Sequence, residues 1–238
     1  MFKAVEGEMS GSESAIATWH KDRAQEDAMG PSHVPIWRQM IGLVEEADLS
    51  DRSVLDFGCN QGGFLRTLHA LRPFRFGLGV DIAVESLAAA QAMKGSLPLD
   101  FQPADRLAQH DGRFDIAFSH EVVYLVPDVA HHARQVLAAL RPGGVYYAAT
   151  ACHTGNRLWP LWRRLIEERS RLEFPDRSLD DYAAAFHEAG FSVGMRSFGP
   201  GGFAPYKPHS DSDYYPTVED RMYAMTDAKV LFRLVKAE

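Results

Sequence analysis

Two aspartates and a cluster of glycines carry the residue types best suited to chemistry in this chain. Asp56 stands two positions before Gly58 in the run Asp56-Phe57-Gly58-Cys59-Asn60-Gln61-Gly62-Gly63, and Asp81 closes the later run Arg75-Phe76-Gly77-Leu78-Gly79-Val80-Asp81. Glycine lets a ligand approach bare backbone and takes positive φ without strain. Asn60 stands where a further glycine would be expected, and Asn is among the few other residues that tolerate that conformation. The turn is therefore read as a nucleotide-type cofactor loop, with free N–H groups at the start of the next helix facing the ligand. A dinucleotide fingerprint spaces its glycines at offsets of two and then three. Counted from Gly58, those offsets give Asn60 and Gly63, so the match is imperfect. The acid at position 56 would repel a pyrophosphate but suits an ammonium or sulfonium ion.

The elements that must position these residues are legible around them. Ser53-Val54-Leu55 reads as a strand before the turn, and Phe64, Leu65, Leu68 and Leu71 recur at helical spacing after it. Asp81 ends a second strand, where a carboxylate can accept from both hydroxyls of a ribose. It is equally placed to cap a helix over Ala83 to Lys94. A third strand is read near Leu99 to Pro103, its proline restricting pairing. A fourth, central strand spans about Arg113 to Val122, mostly apolar as burial on both faces requires. The helix from about Pro127 to Leu140 stops at Arg141-Pro142-Gly143-Gly144, and a fifth strand runs from Gly144 to Thr150. Farther on come a helix at Leu179–Ala189, a strand at Phe191–Phe198 and a last strand at Val230–Val235.

Asp56-Phe57-Gly58-Cys59-Asn60-Gln61-Gly62 resembles motif I of the class I S-adenosylmethionine (SAM)-dependent methyltransferases, usually written D-x-G-x-G-x-G, with Asn60 for the middle glycine. The order of elements to about residue 150, with the Leu140-Arg141-Pro142-Gly143-Gly144 stop, is similar to small-molecule members of that family. The resemblance implies an α/β, Rossmann-like, doubly wound sheet of seven mostly parallel strands with the last reversed. It implies SAM as cofactor, with S-adenosylhomocysteine as product. Asp56, Gly58, Cys59, Asn60 and Gly62 would hold the methionine end, Asp81 and Ile82 the ribose and adenine. Ala104, Asp105 and Arg106 would meet the adenine, Asp105 accepting from its amine; a solvated loop acid is the plainer reading of Asp105. His120 would also border the cofactor.

The acceptor should lie outside that core. If a hydroxyl or protonated amine is methylated, a general base helps, and His is the usual choice. His120 and Glu121 leave the central strand at the crevice where open α/β sheets bind ligands, and His153 follows the fifth strand similarly. Each could instead be a structural hydrogen-bonding residue, Glu121 orienting a neighbour. A helix from Asn156 to Arg171 carries Leu158, Trp162, Leu165 and Ile166 on one face, and Trp159 falls off that stripe, free to wall a planar substrate. The segment Gly199 to Thr217 lacks periodicity and holds Tyr206, Lys207, His209, Tyr214 and Tyr215, as a functional loop would. Before the motif, helices are read at Glu13 to Met29 and His33 to Ala47. Residues 1–48 are thus taken as a helical cap, and 49–238 as the SAM domain with lid elements at 153–175 and 199–220. Trp19, His20, Tyr124, Trp159, Tyr206 and Tyr214 are the acceptor-facing candidates.

Composition narrows the function. The 238 residues carry a formal charge of −7, and no basic face is evident for nucleic acid. The fourth-strand exit reads Ser119-His120-Glu121-Val122 rather than the D-P-P-Y-like run of nucleobase amino-methylating relatives. No apolar run reaches the roughly 20 residues of a membrane span, and Met1 to Ser14 does not read as a secretory signal. Cys59 and Cys152 offer no metal spacing. A cytoplasmic enzyme, monomer or homodimer, acting on the oxygen or nitrogen of a small molecule is the expectation, with no nucleic acid, membrane or metal partner. A non-catalytic SAM-binding protein and an NAD-dependent oxidoreductase are the alternatives.

Overall fold

In a computed structural model of the chain, which describes residues 15–200, 202–203 and 213–238, seven strands form one sheet. The strands are β1 (Leu49–Phe57), β2 (Phe74–Asp81), β3 (Leu99–Pro103), β4 (Phe114–His120), β5 (Leu140–Thr150), β6 (Phe191–Ser197) and β7 (Val230–Lys236). Their order is β3-β2-β1-β4-β5-β7-β6, and β7 alone runs antiparallel to its neighbours. The helices are α1 (Arg23–Leu43), α2 (Gly63–Leu71), α3 (Val84–Met93), α4 (Val129–Ala139), α5 (Trp159–Arg169), α6 (Leu179–Ala189) and α7 (Val218–Thr226), with a 3₁₀ turn at Ala104–His110. The reversed final strand and the seven-stranded doubly wound sheet are as expected from the sequence.

The strand period of two sorts the core into two layers. Val54, Ile116 and Tyr147 pack with Met40 and Ile41 of α1, Leu65 and Leu68 of α2, and Leu87 of α3. Their chain neighbours Leu55, Ala117 and Tyr146 face the other way, onto Ala133 and Val136 of α4 and Phe186 of α6. Strands β1 and β4 pair directly, while β1 also pairs β2. The strand order reverses there, and the crevice at that switch point is where such sheets bind ligands.

Several boundaries differ from the sequence reading. The two N-terminal helices expected at 13–29 and 33–47 are one, α1, which begins after Asp22; the residues before 15 lie outside the described part. Asp22 caps it by accepting from the Gln25 N–H at 2.9 Å. The helix runs through Pro31 and Pro35. A proline in a helix interior costs about 3 kcal/mol, but these two are four residues apart on an exposed face, where water can take the freed carbonyls. The opposite face, with Met40 and Ile41, is buried. Helix α5 is shorter than read, starting with Pro160 in its first turn. Strand β5 reaches back to Leu140, with an irregularity in its pairing to β4 across Arg141-Pro142-Gly143-Gly144. Asp81 does not cap α3: Ala83 is its N-cap, and Asp81 Oδ1 instead accepts from the Ala83 N–H at 2.9 Å.

Candidate active site

The turn after β1 adopts positive φ at Gly58 (79°), Asn60 (46°) and Gly62 (71°), so Asn60 does take the conformation a glycine would. The two glycines are also needed for space. A Cβ on Gly58 would sit 2.4 Å from Val122 of the β4 exit, and one on Gly62 would sit 2.5 Å from the Phe101 ring. The turn is thereby pressed between the ends of β3 and β4.

The N–H groups of the turn itself are taken up within the fold, ahead of those at the start of α2. Those of Gly58 and Cys59 bond Val80 O at 2.8 and 3.1 Å, and that of Gly62 bonds Cys59 O at 2.8 Å. The Asn60 N–H donates to Asp81 Oδ2 at 2.7 Å, and the Gln61 N–H to Asn60 Oδ1 at 2.7 Å. The loop offers carboxylates in place of donors. Asp56 is 3% exposed and its Oδ2 has no partner. Burial, then the neighbouring Asp81, pushes its carboxyl well above the usual range. Asp81 is raised as well, chiefly by burial, with the backbone N–H groups of Ala83 and Asn60 partly offsetting the shift. Neither has an ion-pair partner among the described residues. Two acids without a counter-charge, Asp56 buried and Asp81 half-buried, disfavour pyrophosphate and favour a cation with hydroxyl groups. SAM, a sulfonium bearing an ammonium and a ribose, fits those acceptors.

The N-terminal segment fastens over this loop. Glu26 of α1 is fully buried and accepts from Asn60 Nδ2 and Ser86 Oγ, each at 2.6 Å, and from the His20 N–H at 2.8 Å. The Asn at the middle-glycine position therefore ties the cap helix to the cofactor turn. Ahead of α1, the Ile16 N–H donates to Ile82 O and Ile16 O accepts from the Val84 N–H, a parallel bridge along the end of β2.

Beyond the loop lies a cavity of about 1820 Å³, reaching from the turn to α5 and the residues before β7. Of the residues singled out in the sequence, Asp56, Gly58, Cys59, Asn60, Asp81, Ile82, Ala104, His120 and Glu121 line it, and so do Trp19, His20, Tyr124 and Tyr214. Cys59 is buried, which pushes its thiol up and leaves it inert. Tyr124 is buried too, edge-on to Phe174 with ring centroids 5.3 Å apart.

Several residues are placed elsewhere. Asp105 and Arg106 are exposed on the 3₁₀ turn and are not part of the cavity wall, because the chain turns outward after Pro103. His153 is buried behind the site, its Nε2 donating to Ala228 O at 3.0 Å. Trp159 is in the core rather than at a substrate, its Nε1 donating to Asp176 Oδ1 at 2.7 Å. Trp162 lines the cavity instead, its Nε1 donating to Tyr214 O at 2.8 Å. Gly62, the N-cap of α2, is not part of the cavity wall either. Tyr206 lies outside the described residues.

Further lining residues escaped the sequence reading as site residues: α1, the helix of Glu26, contributes Trp37 and His33, α5 contributes Arg169, and Lys229 precedes β7. Lys229 was findable. A reversed last strand begins where the parallel strands end, so the residue before it arrives at the ligand edge. Its Nζ lies 2.6 Å from Glu121 Oε1 and 3.1 Å from His120 Nε2. Glu121 holds φ at 55° and accepts from the Ala151 N–H at 3.1 Å and the Thr150 hydroxyl at 3.3 Å. Burial and the adjacent Lys229 drive His120 well below the ordinary histidine range.

Residues 33–194 match the methyltransferase domain family, and the chain belongs to it, as a class I SAM-dependent member. It is 32% identical over 108 residues to a ubiquinone biosynthesis O-methyltransferase of Methylobacterium sp. (strain 4-46), covering 44% of this chain and 43% of that one. It is 32% identical over 140 residues to the chloroplastic tocopherol O-methyltransferase of Arabidopsis thaliana, covering 52% and 38%. The match thus spans less than half the length of these relatives. The same fold occurs in a chain of the complex between the Haloferax volcanii Trm112 methyltransferase activator and the putative methyltransferase, with TM-score 0.78, 21% identity and 91% and 95% of the two chains covered. Haemonchus contortus phosphoethanolamine N-methyltransferase 2 in complex with SAM gives TM-score 0.67 at 15% identity, covering 91% and 59%. Family membership sets aside the oxidoreductase alternative. No helix among the described residues is long and apolar enough to cross a membrane.

Proposed function

We propose that the protein transfers the methyl group of SAM to an oxygen of a largely apolar, aromatic small molecule. The observation that carries the reading is the pair of acids without a counter-charge, buried Asp56 and half-buried Asp81, at the head of a cavity whose far wall is aromatic. Asp56, with the turn at Gly58, Asn60 and Gly62, would take the methionine end, Asp81 the ribose hydroxyls, and Ile82 and Ala104 the adenine. Bound SAM supplies an electrophilic methyl and a neutral thioether leaving group. The chain supplies alignment and exclusion of water, through the α1 cap held by Glu26 and the aromatic wall of Trp19, Trp162 and Tyr214. The relatives named as ubiquinone and tocopherol O-methyltransferases support an oxygen acceptor on an aromatic ring.

Calorimetry with SAM and S-adenosylhomocysteine tests the first half, and labelled SAM offered with catechols, hydroquinones, phenols, amines and carboxylates tests the second. Binding together with turnover of a catechol or hydroquinone is expected. Turnover confined to amines overturns the oxygen assignment. Binding without turnover of any class makes the protein a non-catalytic SAM binder.

A further inference from the structure

The geometry points to His33, on the cap helix, as the base that takes the proton of the acceptor hydroxyl, with Lys229 withholding that role from His120. The assignment rests on oxygen methylation as proposed above. Three histidines stand near the exit of the central strands, and their hydrogen bonds separate them. His33 Nδ1 lies 2.7 Å from Met29 O. A carbonyl only accepts, so Nδ1 carries the proton and Nε2 keeps its lone pair. None of the described residues takes that Nε2, and His33 lines the cavity. Its ring meets that of His120 nearly edge to face, centroids 5.8 Å apart, which sets it over the exit of β4 at the switch point.

The other two histidines are committed. An ammonium has no lone pair to offer, so at 3.1 Å from Lys229 Nζ the Nε2 of His120 must be the acceptor, and its lone pair is spent. A proton there would confront Lys229 directly, while Lys229 itself is held by Glu121 at 2.6 Å. His153 faces the Ala228 carbonyl and does not reach the cavity.

The groups facing His33 suit the task. Trp37 of its own helix lies 5.8 Å away, ring to ring, and His120, Glu121 and Lys229 approach from the ends of β4 and β7. Burial holds its imidazole below the ordinary range, so it is neutral and able to accept at physiological pH. In the step, the acceptor O–H bond breaks as an N–H bond forms on Nε2. The oxygen pair bonds the methyl carbon, and the C–S pair stays on sulfur. The imidazolium then releases its proton to water.

The test sets catechol against 4-nitrocatechol, whose nitro group makes it far more acidic, in full-length wild type and His33→Gln. Loss of a base should lower kcat/KM for catechol by about 10²–10³-fold. An acceptor that arrives ionised needs no base, so the loss with 4-nitrocatechol should stay within about tenfold. Equal losses with both acceptors, or none with either, overturn the assignment while leaving oxygen methylation intact. Wild type that binds S-adenosylhomocysteine but methylates neither compound removes the parent reading, and the base with it. Independently of turnover, ¹H–¹⁵N correlation of the imidazoles in the S-adenosylhomocysteine complex should find Nε2 of His33 unprotonated; a proton on Nε2 at neutral pH also overturns it.

Discussion

The cofactor half and the acceptor half of the cavity are built in opposite ways. Asp56, the turn and Asp81 come from two adjacent parallel strands within 26 residues, and backbone bonds between the turn and Val80 fix them. The acceptor half gathers Trp19, His33, Trp162, Tyr214 and Lys229 from segments scattered across the chain, held by side-chain bonds such as Trp162 to Tyr214 O and Lys229 to Glu121. A local, backbone-fixed site can keep one cofactor while a wall of dispersed side chains changes its acceptor. Glu26 is the joint between the halves, because it belongs to the cap yet bonds the cofactor turn.

That contrast can be broken by mutation. The largest effect is expected at Asp81. Exchange for Ala removes an acceptor of both backbone and ribose donors and should weaken SAM by at least about 100-fold, at roughly 1.5–3 kcal/mol for each charge-assisted bond. Calorimetry checks it, and unchanged affinity would end the ribose assignment. Glu26→Ala comes next. It strands the Asn60 and Ser86 donors, so we expect a loss of about 2–4 kcal/mol in chemical denaturation and weaker binding of both cofactor and acceptor. An effect on the acceptor alone would show that Glu26 is no joint.

Trp162→Ala should raise the acceptor KM about tenfold or more and leave SAM affinity within twofold, since Trp162 sits on the far wall. A matching loss of SAM affinity would dissolve the distinction between the halves. The smallest effect is the most diagnostic of charge. Asp56 has its folded-state pKa raised, so the ligand-free fold gains stability as the acid is protonated and loses it as pH rises through that raised value. A bound cation reverses the preference, and SAM should bind more tightly as pH rises through the same window. Asp56→Asn should therefore raise the ligand-free Tm by a few degrees, weaken SAM, and flatten its pH dependence; a lowered Tm would mean the acid already has a partner.

The legibility of the chain follows the same divide. The strands of the first 150 residues, the reversed final strand and the α6 stop at Gly190 could be read because periodicity and breakers are local. The single α1 was not legible as such, because Pro31 and Pro35 fall inside it and only their shared exposed face makes them tolerable there. Trp159 and Trp162 exchanged roles because their partners are remote in sequence, Asp176 and Phe174 drawing Trp159 into the core and Tyr214 meeting Trp162 at the cavity. The sequence cannot show that Val80 O, Cys59 O, Asp81 and Asn60 Oδ1 consume the N–H groups of the turn ahead of α2.

By itself the sequence determined the sheet, the positive-φ turn and the two acids at its head, since glycine, asparagine and strand-end aspartate act through their own backbone. Only the tertiary structure decided whether His33 or His120 keeps its Nε2 lone pair and which tryptophan meets the cavity. Both depend on partners far along the chain, Lys229 for His120 and Tyr214 for Trp162, that no local pattern brings together.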